Sequence, residues 1–328
     1  MLNPKAKLIA EPFSEKVAKA PTRDGFGKGT VEAGKANKNV VVLCADLKES
    51  TRAEWFEKEF PERFVEMGVA EQAMATVASG MAAVGKVPFI ASYACFSPGR
   101  NYEQIRTTIA LNDVPVKVCG MHAGVSVGPD GATHQMLEDI ALMRTLPNMI
   151  VINPADSEEG RKAALAAAEN GRPTYLRFGR AAMPIFTTVD TPFQIGKALT
   201  LWESEKPKIT IFSTGSVTYN ALCAARALDA EGVGVLLVHL STIKPLDVEA
   251  VLGAARKTGR VVTVEEHQIS GGFGSALAEL LSEHYPVLIK RLGINDQFGQ
   301  SGDPDELLEH YGLGASSIRH AAEQLLAV

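Results

Sequence analysis

Residues able to do chemistry gather in a few short segments. Glu71 stands in VEMGVAEQAMATVASGMAAVG (65–85), where a strand and a turn at Gly68 lead into a helix made almost wholly of small or apolar residues. Such a helix must be covered on all sides, and its Ala, Gly and Ser positions suit a subunit interface. Partial desolvation would raise the Glu71 pKa, whereas the helix N-terminus would lower it. A plain N-terminal helix charge is the simpler account of this residue taken alone. In MHAGVSVGPDGATHQMLED (121–139), Gly124, Gly128 and Gly131 crowd a loop that carries His122, Asp130, Thr133 and His134. Glycines let backbone approach a ligand, and two imidazoles with a carboxylate suit proton transfer and hydroxyl binding. A turn with Asp130 at its corner and His134 capping the next helix fits equally well.

Three further positions are candidates to meet a ligand, though each alone is most often a solvated surface residue or a cap. Arg177 lies inside the apolar strand pattern TYLRFGR, where a guanidinium needs an anionic partner from protein or ligand. Arg23 follows PT, and Ser50 ends ADLKES after the first strand, where the C-terminal edge of a parallel sheet would meet a ligand. Glu265, Glu266 and His267 end a later strand and read as an interface contact or supporting network. No GxGxxG after a strand, GxxxxGK[ST], GxSxG or HExxH occurs, and GGFGSALAEL (271–280) reads as a turn packing its helix on a sheet.

The elements that must hold these groups follow from the apolar pattern. Runs at 40–44, 63–68, 87–92, 115–120, 149–153 and 174–178 read as strands buried on both faces. Between them lie helix formers, including DSEEGRKAALAAAENG with an Asp156 or Ser157 cap and a closing Gly171. The stretch 181–207 holds three prolines and no clear period, so it marks a boundary between domains at 1–190 and 191–328. KITIFST, VGVLLVHL, RVVTVEE and PVLIKRL then supply a second strand series. The fold class is α/β, with two consecutive parallel-sheet domains.

Length and composition agree with that division. At 328 residues the chain exceeds the usual single domain of roughly 100–150 residues. Hydrophobic residues at 46% and charged residues at 22% exclude a disordered chain. A net charge of −5 offers no global attraction for nucleic acid or an anionic membrane, so an anionic ligand needs a local site. Four scattered cysteines without metal-ligand spacing, and no long apolar segment, point to a reducing, cytoplasmic setting.

Taken together, PTRDGFGK, ADLKES, EMGVAEQ, HAGVSVGPDGATHQ, LRFGR, EEH and GGFGSA resemble the C-terminal half of a transketolase over nearly the whole chain. Full-length members carry an N-terminal domain whose GDG motif and downstream Asn hold magnesium and the diphosphate of thiamine diphosphate. The one GD pair here, in SGDPDELLEHYG, lies in another context, so the resemblance is to the separately encoded C-terminal subunit of a split transketolase.

That resemblance implies a pyrimidine-binding first domain in which Glu71 hydrogen-bonds a pyrimidine ring nitrogen and promotes the cofactor's imino form. It implies Phe96 stacked on the pyrimidine, with Tyr102 and Asp46 also near the cofactor. His122, Asp130 and His134 would contact the substrate carbonyl and hydroxyls, the histidines relaying protons, while Arg23, Ser50 and Arg177 would grip a sugar phosphate. Ala132 stands where the family has Pro, and Pro129 where it has an acidic residue. The implied reaction is transfer of a two-carbon ketol unit between sugar phosphates. The implied partners are an N-terminal subunit carrying the GDG-Asn motif and a second copy of this chain. Rival readings are the beta subunit of a 2-oxoacid dehydrogenase, a 1-deoxyxylulose-5-phosphate synthase fragment, and a non-catalytic scaffold.

Overall fold

The computed structural model describes residues 1–328. In chain order its strands are β1 (Lys19–Ala20), β2 (Val40–Cys44), β3 (Phe64–Glu66), β4 (Val87–Tyr93), β5 (Lys117–Met121), β6 (Ile150–Ile152), β7 (Thr174–Arg177), β8 (Met183–Pro184), β9 (Leu199–Glu203), β10 (Ile209–Ser213), β11 (Val235–His239), β12 (Thr242–Lys244), β13 (Arg260–Gln268) and β14 (Leu288–Ile294). Seven of them form one sheet in the order β12-β6-β7-β5-β4-β2-β3, parallel except for β12. Five form a second sheet, β14-β13-β10-β11-β9, parallel except for the edge strand β9. The unbroken burial of VVVLC, KVCGM and TYLR is what a sheet covered on both faces requires. The α/β reading with two parallel sheets stands.

Helices cover both sheets at close range. Gly25 and Gly29 let helix Thr22–Ala36 rest on helix Ser157–Glu169: a Cβ on Gly25 would meet the Ser157 carbonyl oxygen at 2.2 Å. Asp156 caps the second helix, accepting from Glu159 N–H at 3.0 Å. No helix is long and apolar enough to cross a membrane, and the four cysteines are free.

The two sheets exchange ends, which the division at 181–207 does not anticipate. Leu2 bridges to Trp202, and Asn3 N–H donates to the Leu201 carbonyl, so the chain's first residues pack on the second sheet. In return β12 joins the first sheet beside β6.

Between the sheets runs a buried polar network, and here Arg177 departs from its expected role. The residue is 3% exposed, and its Nε donates to Asp139 Oδ2 at 2.7 Å. Its Nη2 donates to the Glu266 carbonyl at 2.8 Å, and Tyr175 hydroxyl donates to Asp139 Oδ2 at 2.6 Å. The guanidinium holds Asp139 below the usual carboxylate range against the opposing effect of burial. The anionic partner of Arg177 is therefore Asp139 of the protein itself rather than a ligand. Glu265, also buried, accepts N–H bonds from Phe273 and Gly274 at 2.6 and 2.7 Å, while burial pushes its pKa up to about 7. Breaking a buried pair strands the other charge. Arg177→Ala is expected to lower stability by about 3–5 kcal/mol in urea denaturation; an unchanged midpoint would return the residue to the ligand-binding candidates.

Candidate active site

In a parallel sheet every strand delivers its following loop to the same edge. Asp46 follows β2, Glu71 follows β3, Tyr93 and Phe96 lie at the end of β4, His122 follows β5 and Arg180 follows β7. Helix Thr22–Ala36 runs back toward the start of β2, so its first turn brings Arg23 to that edge. Thr22 Oγ1 accepts from Gly179 N–H at 2.7 Å and ties this turn to the β7 loop. Because β5 lies between β4 and β7, His122 sits between Tyr93 and the Arg180 segment.

Arg23 donates to the Ser50 carbonyl at 2.6 Å and lies 3.1 Å from His122 Nε2. An arginine stays protonated, so Nε2 must accept and the His122 ring is neutral. Burial, reinforced by Arg23 and Arg180, pushes the His122 pKa down to about 2. Its Nδ1 and the Nε of Arg23 are buried without a hydrogen-bond partner. His122 also holds φ +55°, a conformation that costs a non-glycine residue energy and marks an over-determined position. Asp24, on the same helical turn as Arg23, is taken by Arg52 at 2.7 Å. Arg180 reaches Asp130 only at 3.4 Å, its better bond being to the Val127 carbonyl at 2.8 Å. Positive charge thus exceeds negative charge around Arg23, Arg52 and Arg180, and burial with Arg52 lowers the Arg23 pKa to about 10.

An aromatic platform adjoins this charge. Tyr93 stacks on His122 with centroids 3.9 Å apart and on Phe96 at 6.0 Å, and His134 meets Phe96 edge-on at 5.7 Å. His134 Nδ1 lies 2.9 Å from Thr133 Oγ1. Arg100 lies 4.8 Å over the Phe96 ring and donates to Glu71 Oε2 at 2.7 Å. Glu71 is 2% exposed and Arg100 is 46% exposed, so a sheltered carboxylate is answered by a guanidinium that water reaches. Asn101 donates to the Glu71 carbonyl at 3.0 Å and fixes the head of helix Glu71–Ala83.

Not every expected residue joins this cluster. Tyr102 packs against the core of the first sheet, and its hydroxyl donates to the Leu142 carbonyl at 3.3 Å, away from the ring stack. It does not join the aromatic platform expected to meet the cofactor, its hydroxyl being directed to helix Asp139–Thr145. Asp46 is exposed with φ +57°, its N–H donating to Glu66 Oε1 at 2.8 Å. Ser50 bonds Arg23 through its carbonyl. No group of three or more His, Cys, Asp or Glu side chains is arranged to hold a metal ion.

Residues 18–185 match the family model described as transketolase, pyrimidine binding domain, and residues 196–318 match transketolase, C-terminal domain. The chain belongs to the transketolase family. A solved structure named "Split gene transketolase, inactive beta4 tetramer" is 45% identical, with a TM-score of 0.87 and coverage of 94% of this chain and 98% of that one. A subunit of the apulose-4-phosphate transketolase of Phocaeicola vulgatus is 38% identical over 297 residues, 90% of this chain and 94% of the relative. A 6-deoxy-6-sulfo-D-fructose transketolase subunit of a Clostridium species is 36% identical over 315 residues, 96% and 97% of the two chains. Mouse transketolase is 35% identical along 96% of this chain but only 51% of its own length. Transketolase-type relatives thus span the whole two-domain plan, which sets aside the dehydrogenase, synthase-fragment and scaffold readings.

Three residues of the cluster escape a reading of the sequence. Tyr93 sits in a strand pattern, Arg180 lies three residues past Arg177 in the same FGR run, and Arg100 follows a turn. A signal for Arg180 does exist, since it is the arginine of TYLRFGR that falls beyond the strand. Arg100→Ala would leave Glu71 buried without its cation, at a cost of about 1–3 kcal/mol. Urea denaturation of the variant is expected to show that loss; full retention of stability would mean that the Arg100 bond does not hold Glu71 in place.

Proposed function

We propose that this chain is the C-terminal subunit of a split transketolase, moving a two-carbon ketol unit from a ketose phosphate to an aldose phosphate. The observation that carries the reading is a sheltered carboxylate, Glu71, on the same sheet edge as an arginine cluster that lacks matching negative charge. The family supports dependence on thiamine diphosphate, which when bound supplies the carbon nucleophile that accepts the ketol unit. The residues present fit it. Glu71 offers a water-poor acceptor for a pyrimidine ring N–H, and the Phe96–Tyr93 stack offers a flat apolar face. Asp46, on the neighbouring loop, would flank the ring. Arg100 would give up its bond to Glu71 as the ring arrives.

The substrate end rests on this chain's polar groups. His122, neutral and accepting at Nε2, has an Nδ1 without a protein partner, which would donate to a substrate oxygen. His134 and Asp130 would bind further oxygens of the sugar, His134 passing a proton at its outer nitrogen. Arg23 and Arg180 would grip the phosphate with Ser50 beside them, planar guanidinium groups meeting phosphate oxygens in pairs. Magnesium and the diphosphate would be held by a partner, the N-terminal subunit with a GDG motif and downstream Asn. Relatives matched over nearly their full length are named subunits, which supports that division. Ala73, Val77, Gly80 and Val84 leave one side of helix Glu71–Ala83 and its C-terminal end exposed and apolar, suited to a second copy of the chain. Free thiols favour the cytoplasm.

The test is reconstitution with the N-terminal chain, thiamine diphosphate and magnesium, followed by ketol transfer. Glu71→Ala is expected to cut turnover by about 100-fold or more with assembly intact. Arg180→Met is expected to raise KM for sugar phosphates by about 10- to 100-fold while sparing unphosphorylated acceptors. Turnover by the purified chain alone would remove the need for a partner, and an unchanged rate in the Glu71 variant would remove the proposed chemistry.

A further inference from the structure

The glycine-rich loop belongs to the first sheet, yet its root is gripped by the second domain. Glu266, on β13, is 2% exposed. Its carboxylate accepts from Ser126 N–H at 2.6 Å and from Ser216 hydroxyl at 3.3 Å. Gly124 has φ +92°, and a Cβ there would lie 2.3 Å from Glu266 Oε1. The carboxylate is thus pressed against loop backbone at a position only glycine can occupy. Gln135 closes the other end: its side-chain amide donates to the Val125 carbonyl at 3.0 Å and to the Gln300 carbonyl of the second domain at 2.9 Å. Gly131 lies against Ser301, where a Cβ would approach Oγ to 2.6 Å. Arg177 adds a strap from the Glu266 carbonyl to the Met136 carbonyl, at 2.8 and 3.4 Å. His122 immediately precedes this clamped stretch, and Asp130 and His134 lie within it.

We propose that Glu266 is a positioning residue for the transfer reaction: through it the second domain fixes the glycine-rich loop and so sets where His122, Asp130 and His134 meet the sugar. Three glycines with positive φ make this loop costly to order, and a charge-assisted bond from carboxylate to backbone N–H offsets part of that cost. A carboxylate serving only to join two domains would have no need to touch the loop backbone. Displacement of polar groups by about 1 Å costs about 100-fold in rate, so a loosened root is felt at the substrate. The groups facing the carboxylate are Ser126, Ser216, Gly124 and the nearby Arg177, and no other acidic side chain bonds to it.

The kinetic arm of the test rests on the ketol-transfer reading, and the exchange arm does not. In the chain by itself, Glu266→Ala is expected to speed amide hydrogen exchange across 122–135 by about 10-fold or more while helix Glu71–Ala83 keeps its protection. Glu266→Gln, which retains an acceptor oxygen, is expected to restore most of that protection. In the reconstituted complex the alanine variant is expected to raise KM for the ketose phosphate by about 10-fold with thiamine diphosphate affinity unchanged. Gln135→Leu, cut from the loop side of the clamp, is expected to behave alike and serves where Glu266→Ala does not fold. Unchanged exchange in the loop would overturn the proposal. So would equal loosening of helix Glu71–Ala83, or a loosened loop with substrate KM and cofactor affinity both unmoved. An inactive wild-type complex would count against the ketol-transfer reading alone and leave Glu266 to be decided by exchange.

Discussion

Arg23 and His122 share a hydrogen bond that only one of them can enter with a charge. The guanidinium keeps its proton, so the imidazole must be neutral and turn a lone pair toward it. That assignment leaves a proton on His122 Nδ1 with no acceptor in the protein, beside an Arg23 Nε in the same condition. Buried donors without partners are costly, and a ligand rich in acceptor oxygens would answer both of these. Anchors on several elements hold the arrangement: β5 delivers His122, the Ser50 carbonyl fixes Arg23, and Gly179 ties the β7 loop to the first turn of helix Thr22–Ala36.

The environments of buried Arg177 and half-buried Arg23 differ in a way that separates structure from function. Arg177 is paired with Asp139 and bonds the Glu266 carbonyl, so its charge is matched within the protein and it joins the domains. Arg23 finds a carbonyl and a neutral ring, while the carboxylate on its own turn is committed to Arg52. Glu71 is intermediate: sheltered, but paired with a guanidinium that water can draw away. Sites that must exchange partners with a ligand carry this incomplete compensation of charge, whereas Arg177 and Asp139 between the domains are paired with each other.

Much of this is legible from residue patterns. Runs such as VVVLC and TYLRF have to be covered on both faces, and that requirement alone yields the parallel sheets and therefore the edge where Glu71, Phe96 and His122 meet. What escapes depends on packing. A three-residue strand such as Thr242–Lys244 has too few side chains to show a period, and the N-terminal segment docks on β9 through contacts about 200 positions apart in the chain. Arg177 reads as a phosphate binder because its apolar strand hides Asp139, which is brought to it from the far end of the glycine-rich loop. Arg180 goes unnoticed because the apolar run draws attention to Arg177, although Arg180 is the arginine of TYLRFGR that falls past the strand end. Tyr102 fails for the opposite reason, an aromatic at plausible spacing whose hydroxyl is spent on a neighbouring helix.

The ionisation state of His122 tests the account most directly, through nitrogen NMR of the labelled imidazole followed from about pH 8 down to about pH 5. A ring whose folded pKa is depressed to about 2 keeps its neutral form through that window, with the proton on Nδ1, and its signal should move only when a sugar phosphate is added. A ring that titrates near its ordinary value of about 6.5, or carries its neutral proton on Nε2, would contradict the bond to Arg23 and with it the anion-seeking site.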